Sequence, residues 1–194
     1  MSEPVSDAKA AMLRGDLYIA DDPELARDSI RCDRLLAAYN ATRADEGDER
    51  RRILGQLLGS VGERVAIRPP LFMDYGYQTT IGPGTFINFG AVILDVGRVT
   101  IGADVQIGPN VQLLTPTHPL DPGIRRRALE AQRPITIEDN VWLGGGVIVC
   151  PGVTIGRDTV VGAGAVVTRD LPPGVLAVGN PARVVRRLDD PTDS

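Results

Sequence analysis

An apolar residue returns at every sixth position through much of this chain from Ile81 onward, and that period constrains the fold more than any other feature. The positions are Ile81, Ile87 and Ile93, then Ile101, Ile107 and Leu113 after an offset of two residues, and finally Ile137, Leu143, Val149, Ile155, Val161 and Val167. A six-residue step is typical of a solenoid, in which each short flat strand points one aliphatic side chain inward before a tight corner.

The corner residues support the same interpretation. Gly, Asn or Asp follows many of the periodic positions, and these residues adopt the left-handed backbone conformations that tight corners need. Three steps would close one triangular turn of about 18 residues, and stacked turns would bury the aliphatic ladders. An ordinary β-sandwich would instead show a period of two. We therefore predict an all-β solenoid, a parallel β-helix, over residues 63–194.

The segment 1–62 lacks the six-residue period and is expected to be helical. Asp22 is a good N-cap and Pro23 suits the first helical position, while Asn40 would end that helix. The apolar face of this first helix is Leu25, Cys32, Leu35, Leu36 and Tyr39. A second helix is predicted after a charged stretch, with Ile53, Leu54, Leu57, Leu58 and Val61 on one side.

The period is broken once, by residues 115–134, TPTHPLDPGIRRRALEAQRP. Three prolines by Pro122 and a charged run do not stack into a coil, so we expect this segment to form a loop extruded from the wall. Near the C-terminus, the prolines of RDLPPGVLAVGNPARVVRRL are expected to end the repeat, and its last part to cap the open coil.

Composition excludes several classes of protein. With 21 Lys and Arg against 25 Asp and Glu, the net charge of -4 gives no electrostatic reason to bind nucleic acid. Cys32 and Cys150 form neither a disulfide framework nor a zinc motif, so we expect a reducing compartment, the cytoplasm. No stretch reads as a signal peptide or reaches membrane-spanning length, and no membrane partner is expected.

These motifs resemble the hexapeptide-repeat acetyltransferases, and among them the maltose and galactoside O-acetyltransferase branch. The resemblance is carried by MLRGDLYIADDPEL near the N-terminus, MDYGYQTTIG and FINFGAVILDV in the early coils, LLTPTHPLDP at the interruption, and PITIEDNVWLGGGVIVCPGVTIG, VVGAGAVVTRDLP and GNPARVVRRL beyond it. It implies a left-handed coil, acetyl-CoA as co-substrate, no metal, and a homotrimer whose active sites lie between neighbouring subunits.

His118, in THPLDP, matches the catalytic histidine of this family. A hydroxyl that attacks a thioester needs a base that titrates near neutral pH, and histidine is the side chain with that property. The resemblance places Asn88 in the acceptor site, and Asp21, Asp74 and Asp95 are further candidates for binding acceptor hydroxyls. Asp74 and Asp95 could equally be corner acids, and Asn88 could satisfy only its own backbone.

The resemblance also indicates a coenzyme site. It assigns the donor to the thioester oxyanion to Gly145, and Ala163, Thr168, Arg169, Arg183 and Arg186 to the coenzyme groove. Arginines suit phosphate, although the C-terminal charges could simply be solvated. Trp142 packs either beneath the loop or against the pantetheine arm. Arg125, Arg126 and Arg127 on the loop are weaker candidates.

The function that the resemblance implies is direct transfer of acetyl from acetyl-CoA to a hydroxyl of a maltose- or glucose-like sugar. A zinc carbonic anhydrase needs three histidine ligands and the chain has one. An acyl-cysteine intermediate lacks a base next to Cys150. A non-catalytic scaffold would not need THPLDP, and a different acceptor, such as serine, an antibiotic or a lipo-oligosaccharide sugar, remains an alternative.

Overall fold

The structure is a computed structural model that describes residues 6–188, so the outer ends of the expected segments 1–62 and 63–194 lie outside it. Its helices are α1 (Asp7–Arg14), α2 (Pro23–Asn40), α3 (Gly47–Leu57) and α4 (Pro122–Arg125). Its strands are β1 (Tyr18–Ile19), β2 (Ser60–Val61), β3 (Ala66–Ile67), β4 (Leu71–Met73), β5 (Thr79–Ile81), β6 (Phe86–Ile87), β7 (Ala91–Leu94), β8 (Val99–Ile101), β9 (Gln106–Ile107), β10 (Gln112–Leu114), β11 (Pro116–Thr117), β12 (Leu129–Gln132), β13 (Ile135–Ile137), β14 (Trp142–Leu143), β15 (Ile148–Val149), β16 (Thr154–Ile155), β17 (Val160–Val161), β18 (Val166–Val167), β19 (Val175–Val178) and β20 (Arg183–Arg187).

The strands after α3 wind into a prism with three faces. Face 1 is β2, β5, β8, β13 and β16; face 2 is β3, β6, β9, β14, β17, β19 and β20; face 3 is β4, β7, β10, β15 and β18. All pairs within the faces are parallel except β19 with β20. The parallel β-solenoid predicted from the sequence is therefore confirmed.

The inward residues of the six-residue period form the core. Leu143, Val149 and Ile155 are fully buried, as are the other members of the C-terminal set. Left-handed backbone at the corners is taken largely by the residue types expected there, including Asp104, Asn140 and several glycines. Aliphatic burial and corner chemistry thus agree along the whole coil.

The coils differ in length, which the predicted turn of about 18 residues does not describe. Paired residues are 20 positions apart between Ile81 and Ile101, and 18 apart between Ile137 and Ile155. The prediction that the prolines end the repeat is wrong for Pro172 and Pro173, because the fully buried Ala177 still pairs with Val161. The parallel repeat does stop at the turn that contains Pro181. The chain then turns back as β20, the antiparallel edge of face 2.

The helical segment packs against the N-terminal end of the prism. Asp22 caps α2 by accepting from the backbone N–H groups of Glu24 and Leu25, as predicted. The second predicted helix is α3, but it ends at Leu57, so Val61 lies in β2 instead. The short helix α1 was not predicted. Since side chains of α2 and α3 share one core cluster with the coils, both segments fold around the same interior.

The last turn of α2 pairs with the open edge of the first coil. The Asn40 side chain donates from Nδ2 to the Leu71 carbonyl at 2.9 Å, and its Oδ1 accepts from the Leu71 N–H at 2.8 Å. The Tyr39 hydroxyl donates to the Ile67 carbonyl at 2.7 Å. These contacts satisfy backbone groups that the outermost coil would otherwise bury without partners.

None of the helices in the part of the chain that the structure describes is long and apolar enough to cross a membrane.

We expect Asn40→Ala to lower the free energy of unfolding by about 1–3 kcal/mol, because both polar backbone groups of the buried Leu71 would lose their partner. Urea unfolding followed by far-UV circular dichroism would measure the change. The control is Arg34→Ala on the exposed side of the same helix, which should be nearly neutral. Equal stability of the two variants would contradict the edge-capping role of Asn40.

Candidate active site

The interruption of the repeat forms a hairpin that leaves the prism wall, as predicted for residues 115–134. Strands β11 and β12 pair antiparallel, with Thr117 opposite Ala131, and α4 lies between them. Asp121 caps α4 by accepting from the Ile124 N–H at 2.8 Å. Arg125 closes the turn by donating to the carbonyls of Pro119 and Leu120. The loop therefore has its own internal framework.

The N-terminal segment supplies a third strand to this hairpin. β1 pairs antiparallel with β12, so that Tyr18 lies opposite Glu130 and Ile19 opposite Leu129. Continuing the β11–β12 register by one residue places His118 opposite the other side of Glu130. Directly opposite residues of an antiparallel sheet point to the same face. Tyr18, Glu130 and His118 thus form one row across the sheet.

The contacts within this row are direct. The Tyr18 hydroxyl donates to Glu130 Oε1, and Glu130 Oε2 lies 4.0 Å from His118 Nε2. The His118 side chain is 58% exposed and that of Glu130 is 19% exposed. The imidazole is therefore accessible to an incoming molecule, and the Tyr18 hydroxyl holds the Glu130 carboxylate beside it.

A cavity of about 460 Å³ opens in front of the row. Its lining residues are Ile19, Ala20, Asp21, His118, Arg125, Ala128 and Glu130. The structure thus brings together three of the residues singled out from the sequence, His118, Asp21 and the weaker candidate Arg125. Glu130 was not among the residues predicted from the sequence. In the sequence it is a single acid within LEAQ, and only the register of the hairpin brings it beside His118.

Other predicted residues lie on the same margin of the prism. The loop edge consists of the turns that follow face 3, at residues 74–78, 95–98, 115–134, 150–153 and 168–170. Asp74 makes no hydrogen bond to any residue among 6–188. Its burial and the negative charges of Asp95 and Glu130 raise the pKa of its carboxyl group to about 6. The ionised form of Asp74 is thus destabilised by burial and by neighbouring negative charges.

Asp95 has a different environment from Asp74. It is fully buried, and its carboxylate accepts from the Tyr75 N–H at 2.9 Å and the Thr79 hydroxyl at 3.1 Å. Burial raises the pKa of this carboxyl group, and the hydrogen bonds oppose that effect. These contacts are those of a corner acid that organises the turn at Tyr75. Acceptor binding by Asp95 stays a prediction.

A second group of predicted residues lies on the opposite margin of face 3. The glycine edge consists of the turns that precede face 3, at residues 68–70, 88–90, 108–111, 144–147 and 162–165. Asn88, Gly145 and Ala163 stand there. Gly145 and Ala163 are in successive coils, and the coil that contains residues 108–111 separates them from Asn88. The Asn88 side chain accepts from the Phe89 N–H at 2.9 Å, which is the local backbone role considered for it.

The glycine edge carries unused backbone donors. The N–H groups of Gly145 and Ala163 have no hydrogen-bond partner among residues 6–188, although neighbouring turn amides are paired. A Cβ atom at Gly144 would lie 2.6 Å from the Ala163 nitrogen, so glycine permits the close stacking of these two turns. Two fixed donors on a rigid edge suit an anion or a carbonyl oxygen.

The remaining predicted residues are spread over the C-terminal half. Thr168 and Arg169 lie on the loop edge, whereas Arg183 and Arg186 lie on β20 at the margin of face 2. Trp142 is 55% exposed on face 2, which is the side away from the loop edge, so it does not pack beneath the loop of its own chain.

One chain therefore separates its two groups of candidate residues. The loop edge and the glycine edge are divided by the width of face 3, where β7 spans four residues, or about 13 Å. A second cavity of about 350 Å³ is lined by Arg31, Arg34, Leu35 and Gln56, which offer no base. Among residues 6–188, no three His, Cys, Asp or Glu side chains are grouped to hold a metal ion.

Comparison with known proteins identifies similar sequences and structures. Residues 11–62 match the maltose acetyltransferase hexapeptide capping motif, and residues 134–169 match the bacterial transferase hexapeptide model of six repeats. Nodulation protein L of Rhizobium meliloti is 48% identical over 91% of this chain and 96% of its own length.

Two solved structures share the fold over nearly the whole chain. A maltose O-acetyltransferase from Clostridium difficile superposes with a TM-score of 0.94 at 42% identity, covering 96% of this chain and 100% of the other. A hexapeptide-repeat acetyltransferase from Vibrio cholerae, in complex with acetyl coenzyme A, has a TM-score of 0.88 at 38% identity, covering 95% and 100%.

We expect Asp74→Asn to stabilise the protein at pH 8 and to have no effect near pH 4. The folded state raises the Asp74 pKa above its ordinary value of 3.8 to about 6, so ionisation costs stability as pH rises through that interval. Thermal unfolding of parent and variant across pH 4–8 would test this. Asp95→Asn is the contrasting variant and should destabilise at every pH, because it disturbs the hydrogen bonds to Tyr75 and Thr79. An unchanged midpoint for Asp74→Asn at pH 8 would contradict the prediction.

Proposed function

We propose that the chain acetylates a hydroxyl group of a maltose- or glucose-like sugar. The chain belongs to the maltose acetyltransferase-type branch of the hexapeptide-repeat acetyltransferases, and the proposal proceeds from that membership. Membership makes the chain an acyltransferase that uses acetyl-CoA. The proposal adds the sugar acceptor and His118 as the general base. The observation that carries it is the cavity in which His118, Glu130 and Asp21 converge.

The proposed reaction is direct transfer within a ternary complex. His118 takes the proton of the acceptor hydroxyl as its oxygen attacks the thioester carbonyl carbon. The new C–O bond forms, the C–S bond breaks and the coenzyme thiolate leaves. Glu130, 4.0 Å from the imidazole, favours the cation that His118 becomes when it takes the proton. Holding both substrates beside the base would supply much of the acceleration.

The acceptor site in this proposal uses the carboxylates of the loop edge. Asp21 lines the cavity, and Asp74 has free acceptor capacity because no residue among 6–188 donates to it. A sugar presents several hydroxyl donors, which match carboxylate oxygens. Asn88 is proposed to contribute its amide from the glycine edge.

The coenzyme site is proposed to lie on the glycine edge. The unpaired N–H of Gly145 suits the oxyanion that develops on the thioester oxygen, and the N–H of Ala163 lies one coil above it. Arg183 and Arg186 are proposed along the same groove, and Thr168 and Arg169 are proposed to join it from the loop edge. The guanidinium groups would bind the coenzyme phosphates.

A homotrimer with active sites between subunits would bring the two edges together. Apart from Ser60 in β2, the outward residues of face 1 are threonines, Thr80, Thr100, Thr136 and Thr154 in register, which suit solvent. The outward row of face 3 is mostly apolar, comprising Phe72, Val92, Gln112, Ile148 and Val166. Such a face suits association with a second copy, whose glycine edge would then approach the loop edge. We also propose a cytoplasmic location, supported by the two unpaired cysteines.

We expect His118→Ala to lower kcat by about 10²–10⁴ while leaving the fold intact, because a general base contributes about that much and the side chain is exposed. Thiol release from acetyl-CoA would be followed with glucose, maltose, a galactoside, serine and chloramphenicol as acceptors. Thr100→Ala on face 1 is the control and should retain the parent rate. Sugar-independent turnover, or a variant as active as the parent, would refute the proposal.

We expect co-expression of His118→Ala and Asn88→Ala chains to restore activity that neither variant has alone. In mixed trimers, a loop edge from one chain can meet the glycine edge of the other, which rebuilds about a quarter of the sites in a random 1:1 mixture. The matched control pairs His118→Ala with Glu130→Ala, both on the loop edge, and should restore nothing. Recovery in neither mixture would show that each site is contained within one chain.

A further inference from the structure

One residue of the row across the three-stranded sheet, Tyr18, lies outside the cavity but contacts a residue that lines it. Tyr18 is 3% exposed and is not among the lining residues, so it does not meet an incoming substrate. Its hydroxyl nevertheless donates to Glu130, whose other carboxylate oxygen faces His118. One side chain, that of Glu130, thus separates Tyr18 from the proposed base.

The surroundings of Tyr18 fix its position. Its ring packs in a small second core with Met12, Leu25, Tyr75 and Val96, which joins α1 and α2 to the loop edge. The backbone of β1 is paired with β12 at the same residue, Glu130. A side chain held both by packing and by strand pairing has little rotamer freedom. It is therefore a rigid support for a longer and more flexible glutamate.

In the contact between Tyr18 and Glu130, the phenol is the donor and the carboxylate is the acceptor. Burial and the hydrogen bond to Glu130 both raise the pKa of the Tyr18 phenol, so it stays protonated and acts as the donor. Glu130 accepts through Oε1, which leaves Oε2 directed toward Nε2 of His118 at 4.0 Å. Without the phenol, the glutamate would lose the contact that selects this orientation among its rotamers.

We propose that Tyr18 is a positioning residue of the acetyl transfer: it holds Glu130 in the orientation that supports His118, and so couples the N-terminal helical segment to the chemical step. The proposal rests on the proposed function of His118 as base. Tyr18 touches neither substrate nor the reacting atoms. Its effect is on how often the base and its carboxylate are correctly arranged.

The kinetic experiment compares Tyr18→Phe with the parent in the acetyl-CoA and maltose assay. The variant keeps the buried ring and removes only the hydroxyl. We expect kcat to fall about tenfold, within the range shown by coupled neighbouring residues, with the KM for acetyl-CoA unchanged. In a Glu130→Ala background the same substitution should change nothing further. A parent-like kcat, or an equal fall in both backgrounds, would overturn the proposal.

A matched control separates positioning from general stability. Tyr39→Phe also removes a buried hydroxyl hydrogen bond, to the Ile67 carbonyl, but at the far end of the helical segment. It should leave kcat at the parent value even if the melting temperature falls. If Tyr39→Phe lowers kcat as much as Tyr18→Phe does, the loss is structural and the positioning role is wrong.

A spectroscopic measurement does not depend on turnover. His118 is the only histidine, so protein labelled at histidine gives a single set of imidazole ¹H–¹⁵N signals. We expect Tyr18→Phe to shift or broaden these signals and Tyr39→Phe to leave them unchanged. Unmoved signals in Tyr18→Phe would overturn the inference. If His118→Ala keeps full activity, the proposed base is wrong, whereas an inactive His118→Ala with an unaffected Tyr18→Phe refutes the role of Tyr18 alone.

Discussion

The parallel hydrogen bonding between successive coils is the constraint on which the rest of the structure depends. Each coil pairs its short strands with the coils above and below, so its corners must repeat at nearly the same place. This explains why inserted residues collect at one margin. A turn that follows face 3 can extend outward without disturbing the ladder, and residues 115–134 use that freedom most fully. The candidate site is therefore at the loop edge because that edge tolerates irregular chain.

A stack of coils leaves the core and the backbone of its end coils uncovered. The N-terminal segment covers the first coil and also supports the candidate site. α2 covers the first coil with Tyr39 and Asn40 and pairs with its exposed backbone groups. The residues just before α2 run beside the extruded hairpin as β1. One short segment thus closes the core and supports the loop. Changes in how it packs would reach His118 through the sheet that contains Tyr18 and Glu130.

The sequence predicted most of the fold and only part of the site, and the difference has a physical origin. The solenoid follows from a period that local chemistry imposes at every step, and Asp22 marks the start of α2 for the same local reason. Glu130 and Tyr18 are 112 residues apart, and their contact depends on the register of two short strands. The extra residues of the first coils and the added rung at Ala177 depend likewise on stacking, which the six-residue pattern does not encode.

The carboxylates of the loop edge show how such a scaffold tolerates unfavourable charges. Asp95 is buried but has backbone and hydroxyl donors, so its burial is partly compensated. Asp74 lacks donors within the described chain and lies in the field of Asp95 and Glu130. An acidic cluster of this kind would be relieved by ligand hydroxyls, which bring the donors that the protein leaves out. Because the rigid coils hold these groups in place, ligand binding at the proposed acceptor site would need little rearrangement of the wall.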